Sequence, residues 1–190
     1  MRRICRCQDK DLPSLYKCLR RVKEGIAYDG LSYWNDDYPL EEDLRRDYED
    51  GSLYVVKDGA RVIGAASLSQ DIAYNFFPAS LSERKAVELL DKVGHKGEDI
   101  LVISRLLIDP AYQGKGIGTE FLKSILSNYR HSSVLISVAK ENQKAIAFFR
   151  KNGFKMVGPY PFEYGEGNEG KFALMSKMYK PMGLCKEPIF

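Results

Sequence analysis

The sequence predicts an α/β (α+β) fold, a mixed central β-sheet flanked by helices, on three observations. Two strand-like runs, Leu53-Tyr54-Val55-Val56 and Val62-Ile63-Gly64-Ala65-Ala66, flank Asp58-Gly59, a dipeptide that favours a tight hairpin turn. Ile100 to Ile108 is a nearly continuous apolar run, as expected of a central strand buried on both faces. Amphipathic helical patterns follow it and alternate with short strands, which requires crossover connections and therefore some parallel pairing. The chain of 190 residues fits one domain spanning 1–190.

In order, Asp9 to Lys23 carries Leu12, Leu15, Leu19 and Val22 at the spacing of one helical face, with Asp9 or Asp11 available as a cap. Gly25 to Pro39 reads as loop and contains Trp34, Asp36, Asp37 and Tyr38. Leu40 to Tyr48 is helical in pattern and is stopped near Gly51. The hairpin comes next, then Ala73 to Ala79 without a clear period, then a helical stretch from Ser82 to Val93. Asp109-Pro110 ends the central strand, and a helix begins near Gly116 with Ile117, Phe121, Leu122, Ile125, Leu126 and Tyr129 on one side. Val134 to Val138 is a short strand. Asn142 to Asn152 is a helix carrying Ala145, Ile146, Phe148 and Phe149, and Gly153 stops it. Phe154 to Val157 and Phe172 to Met178 read as two late strands around a glycine-rich excursion, Tyr164 to Gly170.

Composition narrows the function classes. A formal net charge of +3, with no run of five basic residues, gives no argument for nucleic acid. No stretch reaches the roughly 20 apolar residues of a membrane span, and no apolar segment follows the charged N-terminus to make a secretory signal. The expected setting is therefore cytoplasmic, with Cys5, Cys7, Cys18 and Cys185 as reduced thiols. The C-x-C spacing of Cys5 and Cys7, with His95 and His131 far away in sequence, is a poor match to metal ligands, so no metal is expected.

The most informative segment is Gln113-Gly114-Lys115-Gly116-Ile117-Gly118, between the buried strand and an amphipathic helix. Glycines keep side chains out of the way, so backbone N–H groups can converge, and a helix start adds unsatisfied donors and a positive dipole end. That combination makes an anion site suited to phosphate or pyrophosphate. It is not a Walker A loop, because Thr119 and Glu120 follow Gly118 where Lys and Ser or Thr are required. It is not a dinucleotide fingerprint either: counted from Gly114 the sixth residue is Thr119, and from Gly116 it is Phe121.

Leu106-Leu107-Ile108-Asp109-Pro110, the glycine segment, and Asn142-Gln143-Lys144-Ala145-Ile146-Ala147-Phe148-Phe149-Arg150-Lys151-Asn152-Gly153-Phe154 together resemble the GNAT acetyltransferases. That family has a [QR]-x-x-G-x-[GA] loop and a later N-x-x-A-x-x-x-[YF]-x-x-x-G-F helix. The likeness is strong over roughly residues 100–158 and agrees in element order over residues 1–70. It implies the GNAT acyl-CoA N-acyltransferase fold and acetyl-CoA as cosubstrate. By this resemblance Leu106, Leu107 and Ile108 would offer backbone groups to the pantetheine arm, and Gln113, Gly114, Lys115, Gly116, Ile117, Gly118 and Thr119 would hold the pyrophosphate. Asn142 would bond to the pantetheine region, Ala145, Phe148 and Phe149 would line the groove at the thioester, and Lys151 could approach the nucleotide phosphate. Because neighbouring helix positions face about 100° apart, at least one of Phe148 and Phe149 is expected in the core.

The catalytic groups stay unassigned. Many family members carry Tyr at the position of Phe149, where its hydroxyl can protonate the leaving thiolate, and phenylalanine has no such proton. Water, Tyr160, Tyr164 or Ser104 remain as proton sources. The strand position that often holds the family's carboxylate has Arg105. A Lys-like amine of pKa about 10.4 costs about 4.6 kcal/mol to deprotonate at pH 7, so a base or a desolvating pocket would help. Asp36, Asp37 and Glu163 are the candidate acids, with solvated surface as their ordinary alternative. Trp34, Tyr38, Tyr74, Phe76, Phe77 and the segment from Tyr160 to Tyr164 are candidates for the acceptor wall. The expected function is N-acetyltransfer to a primary amine of a small molecule or peptide. A catalytically weak acyl-CoA-binding or regulatory module is the alternative, a nucleotide-dependent oxidoreductase is disfavoured, and a homodimer stays open.

Overall fold

The computed structural model describes residues 2–70, 91, 100–129, 133–159 and 172–178. Its described strands form one seven-stranded sheet in the order β1-β2-β3-β4-β5-β7-β6. They are β1 (Arg2–Arg6), β2 (Leu53–Asp58), β3 (Arg61–Ser69), β4 (Ile100–Ile108), β5 (Ser133–Ala139), β6 (Lys155–Pro159) and β7 (Phe172–Met178). The described helices are α1 (Leu12–Tyr28), α2 (Glu41–Glu49), α3 (Ile117–Asn128) and α4 (Gln143–Lys151). Only β4 and β5 pair in parallel, and every other neighbouring pair is antiparallel. The expected mixed sheet, hairpin, central strand and late strands are therefore all present. The Ala73 to Ala79 segment, most of the expected Ser82–Val93 helix, and the Tyr164 to Gly170 excursion lie outside the described residues. Asp91, the one described residue of that helix, is helical.

Each face of the sheet has its own core. Leu12, Leu15, Leu19, Val22 and Ile26 of α1, with Leu44 of α2, cover one face and pack on Leu53, Val55, Val62, Ala65 and Leu107. On the other face Ile117, Phe121, Leu122, Ile125 and Leu126 of α3 and Ile146 and Phe149 of α4 pack on Ile63, Leu101, Ile103, Val134, Ile136 and Met175. Cys7 and Cys18 belong to the first core, where burial first of all pushes each thiol up to about 12. They act there as small apolar groups. Among the described residues no helix is long and apolar enough to cross a membrane.

Three boundaries differ from expectation. The strand β1 has no alternating pattern, because it is an edge strand with one neighbour and mostly exposed side chains. Such edges carry charge, here Arg2, Arg3 and Arg6. Helix α1 runs on through Gly25 to Tyr28, so Gly25 is a packing gap rather than a stop. A methyl group there would stand 3.4 Å from Cγ of Pro110. Asp11 does not cap α1 with its side chain; its carboxylate accepts the Gln8 N–H at 3.1 Å and pairs with Lys57.

The strands β3 and β4 approach closely at Gly64. A Cβ on Gly64 would fall 2.9 Å from the Leu107 carbonyl oxygen and 2.6 Å from Cδ1 of Ile108. Gly64→Ala should therefore destabilise the fold by about 1–3 kcal/mol, the usual range for overpacking. Urea unfolding measures it, and an unchanged midpoint would refute the close approach.

Candidate active site

The site begins where the sheet comes apart. Parallel pairing between β4 and β5 covers Ile100 with Ser133, Leu101 with Val134 and Val102 with Leu135, and no further pair follows. Beyond it β4 continues to Ile108 and β5 to Ala139 without pairing, so two unpaired strand edges border a cleft. Backbone direction on the β4 side follows from one bond. The Asp109 N–H donates to the Ile63 carbonyl of β3 at 2.9 Å, so by period-two alternation Leu107 also faces β3. Leu106 and Ile108 therefore turn their N–H and C=O groups into the cleft. Gln113 agrees with this: its Nε2 donates to the Ile108 carbonyl at 2.8 Å.

A bulge sets that alternation. Between β3 and β4 the pairs run Ala65 with Leu107, then Ser67 with Ser104, which leaves one extra residue in β4. Arg105 lies in the gap with φ 50°, the one non-glycine residue at positive φ among the described residues. Such a conformation costs about 1–3 kcal/mol and persists where the surroundings enforce it. Here the Arg105 Nε donates to Oδ2 of Asp47 at 2.6 Å, Nη2 donates to Oδ1, and Nη1 donates to the Tyr38 hydroxyl at 3.2 Å. The Ser67 hydroxyl also donates to Oδ2 of Asp47. Burial of Arg105 works against its charge, but Tyr38 and Asp47 more than offset it and the guanidinium is held above its ordinary pKa.

The far end of β4 is anchored by Asp109, which is fully buried. Its carboxylate accepts from Nε of Arg21 at 2.9 Å, from Nη2 of Arg61 at 2.9 Å and from the Ala111 N–H at 3.1 Å. Burial alone would raise its pKa; the Ala111 N–H and the two guanidinium groups reverse that and hold it below the usual carboxylate value. A carboxylate depressed in the folded state stabilises above its unfolded pKa of about 3.9, and that contribution disappears as pH falls through the folded value. Melting temperature against pH should therefore fall on acidification below about pH 4, and Asp109→Asn should flatten that acid limb. An unaltered limb in the variant would show that Asp109 does not control it.

From Asp109 the chain makes a short 3-10 turn, Pro110–Tyr112, and enters the glycine segment. Gly114 and Gly116 have φ of 73° and 79°, and Gly116 is the residue before α3. The left-handed backbone there is open to glycine at little cost. Nothing lies within 4 Å of a Cβ built on either residue. The Glu120 N–H makes the bond to the Gly116 carbonyl at 3.0 Å, so the N–H groups of Ile117, Gly118 and Thr119 precede the helical ladder and point out of the helix start. Lys115 folds back, with Nζ donating to the Ala111 carbonyl at 2.8 Å and lying over the Tyr112 ring. At Gly118 the helix comes against α4 and β4: a methyl group there would be 3.4 Å from Cε2 of Phe148 and 3.6 Å from Cγ1 of Ile108.

The other arm of the cleft leads into α4. Asn142 caps this helix, with Oδ1 accepting the Ala145 N–H at 3.0 Å. Its Nδ2 donates to the Tyr33 hydroxyl at 2.7 Å. Burial, with Glu141 and Asp29 nearby, pushes the Tyr33 phenol up to about 12. The loop between α1 and α2 is thus tied to both arms, through Tyr33 to Asn142 and through Tyr38 to Arg105.

The structure brings Leu106, Ile108, Gly114 to Thr119, Phe148 and the Asn142 cap around this cleft. Leu107 faces away, into the α1 core. Phe149 is buried and stacks edge-on with Phe148 and Phe154, while Phe148 is half-buried beside Gly118. Ala145 is half-buried near it, and Lys151 is exposed at the end of α4 remote from Asn142. Asp36 and Asp37 are exposed. Trp34 lines a cavity of about 310 Å³ against Arg20, Lys23 and Ala27 of α1. Tyr74, Phe76, Phe77, Tyr160, Glu163 and Tyr164 lie outside the described residues. A larger cavity of about 440 Å³, lined by Arg6, Tyr54, Leu101 and Tyr129, lies at the opposite end of β4. It contains none of the cleft residues. Asp47, absent from the expected residues, carries a legible sign: three residues after Leu44 it falls on the buried stripe of α2, where an acid needs a partner.

The description "Acetyltransferase (GNAT) family" matches residues 15–154. N-alpha-acetyltransferase RimI of Mycobacterium tuberculosis is 43% identical over 51 residues, 27% of this chain and 32% of that protein. The chain spans about a third of the length of the curated relatives it matches first. A GNAT acetyltransferase from Streptococcus agalactiae superposes with a TM-score of 0.74 at 16% identity, over 94% of this chain and 96% of that one. PaiA N-acetyltransferase from Thermoplasma acidophilum, solved in complex with coenzyme A, superposes with a TM-score of 0.61 at 18% identity, over 94% and 99%. At such identities the superpositions speak for the fold.

Proposed function

From the premise that the chain belongs to the GNAT acetyltransferase family and has its acyl-CoA N-acyltransferase fold, we propose that it transfers the acetyl group of acetyl-CoA directly to a primary amine. The observation that carries the reading is the cleft itself: two diverging strand edges that end at a glycine turn and a helix start.

The residues fit the cosubstrate on grounds of shape and donors. Gly114 and Gly116 leave open space at the turn, and the N–H groups of Ile117, Gly118 and Thr119 offer donors and the positive end of α3 to a pyrophosphate. Leu106 and the Ile108 N–H give an extended amide chain a strand edge to pair with, as in β-strand addition. Gly118 keeps the floor between Phe148 and Ile108 free of a side chain. Acetyl-CoA, when bound, would supply a thioester: the amine nitrogen bonds to its carbonyl carbon as the C–S bond breaks, CoA leaves as the thiolate, and the proton lost by the amine passes through water to the sulfur. In that arrangement the Leu106 N–H donates to the carbonyl oxygen and stabilises the charge that grows on it. Tyr33, bonded to Asn142, and Tyr38, bonded to Arg105, border the acceptor side. The acceptor is an amine of a small molecule or peptide, and the whole of residues 1–190 is read as one such domain in a cytoplasmic setting.

Phe149 favours a second reading, an acyl-CoA-binding module with little turnover, because it is a core residue without a proton to give. Thiol release from acetyl-CoA, measured across amines, polyamines, aminoglycosides and peptide N-termini, separates the two. Release with one class of amine establishes the transferase, whereas silence across the panel with acetyl-CoA bound in calorimetry establishes the module. Tight binding of NAD instead of acetyl-CoA would overturn both.

A further inference from the structure

We propose that Asp47 is a positioning residue for acetyl transfer: by clamping Arg105 it holds the β4 bulge that turns the Leu106 N–H into the cleft. The inference rests on the transferase reading and deepens it at the reacting end of the site.

The bulge decides which backbone groups meet the substrate. Leu101 and Ile103 face the α3 and α4 core, and so do Leu106 and Ile108, which lie on the opposite parity. Without the extra residue, alternation from Leu101 and Ile103 would carry on to Arg105 and Leu107. Leu107 would then point its N–H into the cleft, Leu106 would point to β3, and the charged Arg105 side chain would enter an apolar core.

Every contact of Asp47 named above converges on that irregularity. It sits on α2 beside Leu44 on the buried stripe and is itself buried. Ser67, which shares its Oδ2, is the β3 partner of Ser104, the residue immediately before the bulge. Arg105 presents a planar fork to both carboxylate oxygens, so the pair fixes direction as well as distance. Tyr38 takes the remaining guanidinium nitrogen from the loop that also reaches Asn142. A buried ion pair is a weak source of stability compared with apolar packing. Its particular gift is geometry, and here that geometry falls on a residue held at positive φ.

The test compares Asp47→Asn with the double variant Asp47→Asn/Arg105→Gly. Glycine adopts a positive φ without a clamp, and the double variant leaves no unpaired buried charge. Acetyl-CoA affinity, kcat, acceptor KM, melting temperature and the Leu106 amide resonance are measured for each. Asp47→Asn should lower kcat about 100-fold, the loss expected when a group that meets the reacting atoms is misplaced by about 1 Å, with acetyl-CoA affinity nearly unchanged and a shifted Leu106 resonance. The double variant should recover most of kcat and return the resonance. If Asp47→Asn alone does not fold, Arg105→Lys replaces it: the charge stays, the fork is lost, and the same fall in kcat is expected. Unchanged kcat, a parallel loss of acetyl-CoA affinity, or no recovery in a well-folded double variant would overturn the proposal. If the wild-type protein turns over no amine, the transferase reading fails and the Leu106 resonance decides: unmoved in Asp47→Asn, it refutes the clamp.

Discussion

Gly116→Asp should abolish measurable acetyl-CoA binding while the protein remains folded. Two facts separate the charge effect from structural damage. A side chain at 116 meets nothing within 4 Å, and Asp and Asn tolerate a left-handed backbone better than other residues do. The backbone strain of a side chain at φ 79° is shared by Gly116→Asn, so it cancels when the two variants are compared. The carboxylate, by contrast, stands at the mouth of the turn whose free N–H groups the proposed function assigns to the pyrophosphate. Two like charges about 4 Å apart near a protein surface repel by about 4 kcal/mol, equivalent to a loss of affinity of about 1,000-fold. Calorimetric titration of the wild type and both variants measures this. Binding that persists in Gly116→Asp, or an equal loss in Gly116→Asn, would show that the loop does not hold a pyrophosphate by charge.

The second large effect distinguishes two adjacent aromatic residues. Phe149 is buried within the α3 and α4 core and stacks on Phe148 at 5.1 Å and Phe154 at 5.4 Å between ring centroids. Phe149→Ala should cost about 3–5 kcal/mol of stability, the range for truncating a buried Phe. Phe148 is half-buried and borders the floor of the cleft beside Gly118. Its replacement by Ala should cost less stability and more acetyl-CoA affinity. Unfolding and calorimetry on the pair give the comparison. If Phe149→Ala weakens acetyl-CoA binding at full stability, the two side chains have exchanged roles and the core assignment of Phe149 is wrong.

These expectations depend on different levels of organisation. The glycine turn was legible because its chemistry is local: Gly114 and Gly116 sit in left-handed conformations that follow from residue type, directly before a helix with a clear apolar stripe. The hairpin around Asp58-Gly59, the apolar run of β4 and the helix opening at Asn142 are local in the same sense. Strand β1 was not legible, because an edge strand has no two-sided burial to imprint a period. The stretch from Gly25 was read as loop, yet α1 runs on to Tyr28, because glycine in a sequence does not reveal whether it breaks a helix or lets Pro110 approach it. Asp36 and Asp37 were considered as acids by their loop position, yet they are exposed. The buried acid, Asp47, lay inside a polar helix where only its spacing from Leu44 marked it.

The sequence by itself determined most of the element types, the glycine turn before α3 and the family, since each rests on residue preferences and spacings within a few turns of chain. Only the tertiary structure decided where β4 and β5 part, which backbone groups of β4 face the cleft, and that Arg105 pairs with Asp47. The last two depend on a single extra residue that β4 carries between Ser104 and Leu107, opposite the one residue between Ala65 and Ser67 of β3. A one-residue shift in register leaves composition and hydrophobic period almost unchanged, yet it turns every following side chain and N–H to the opposite side.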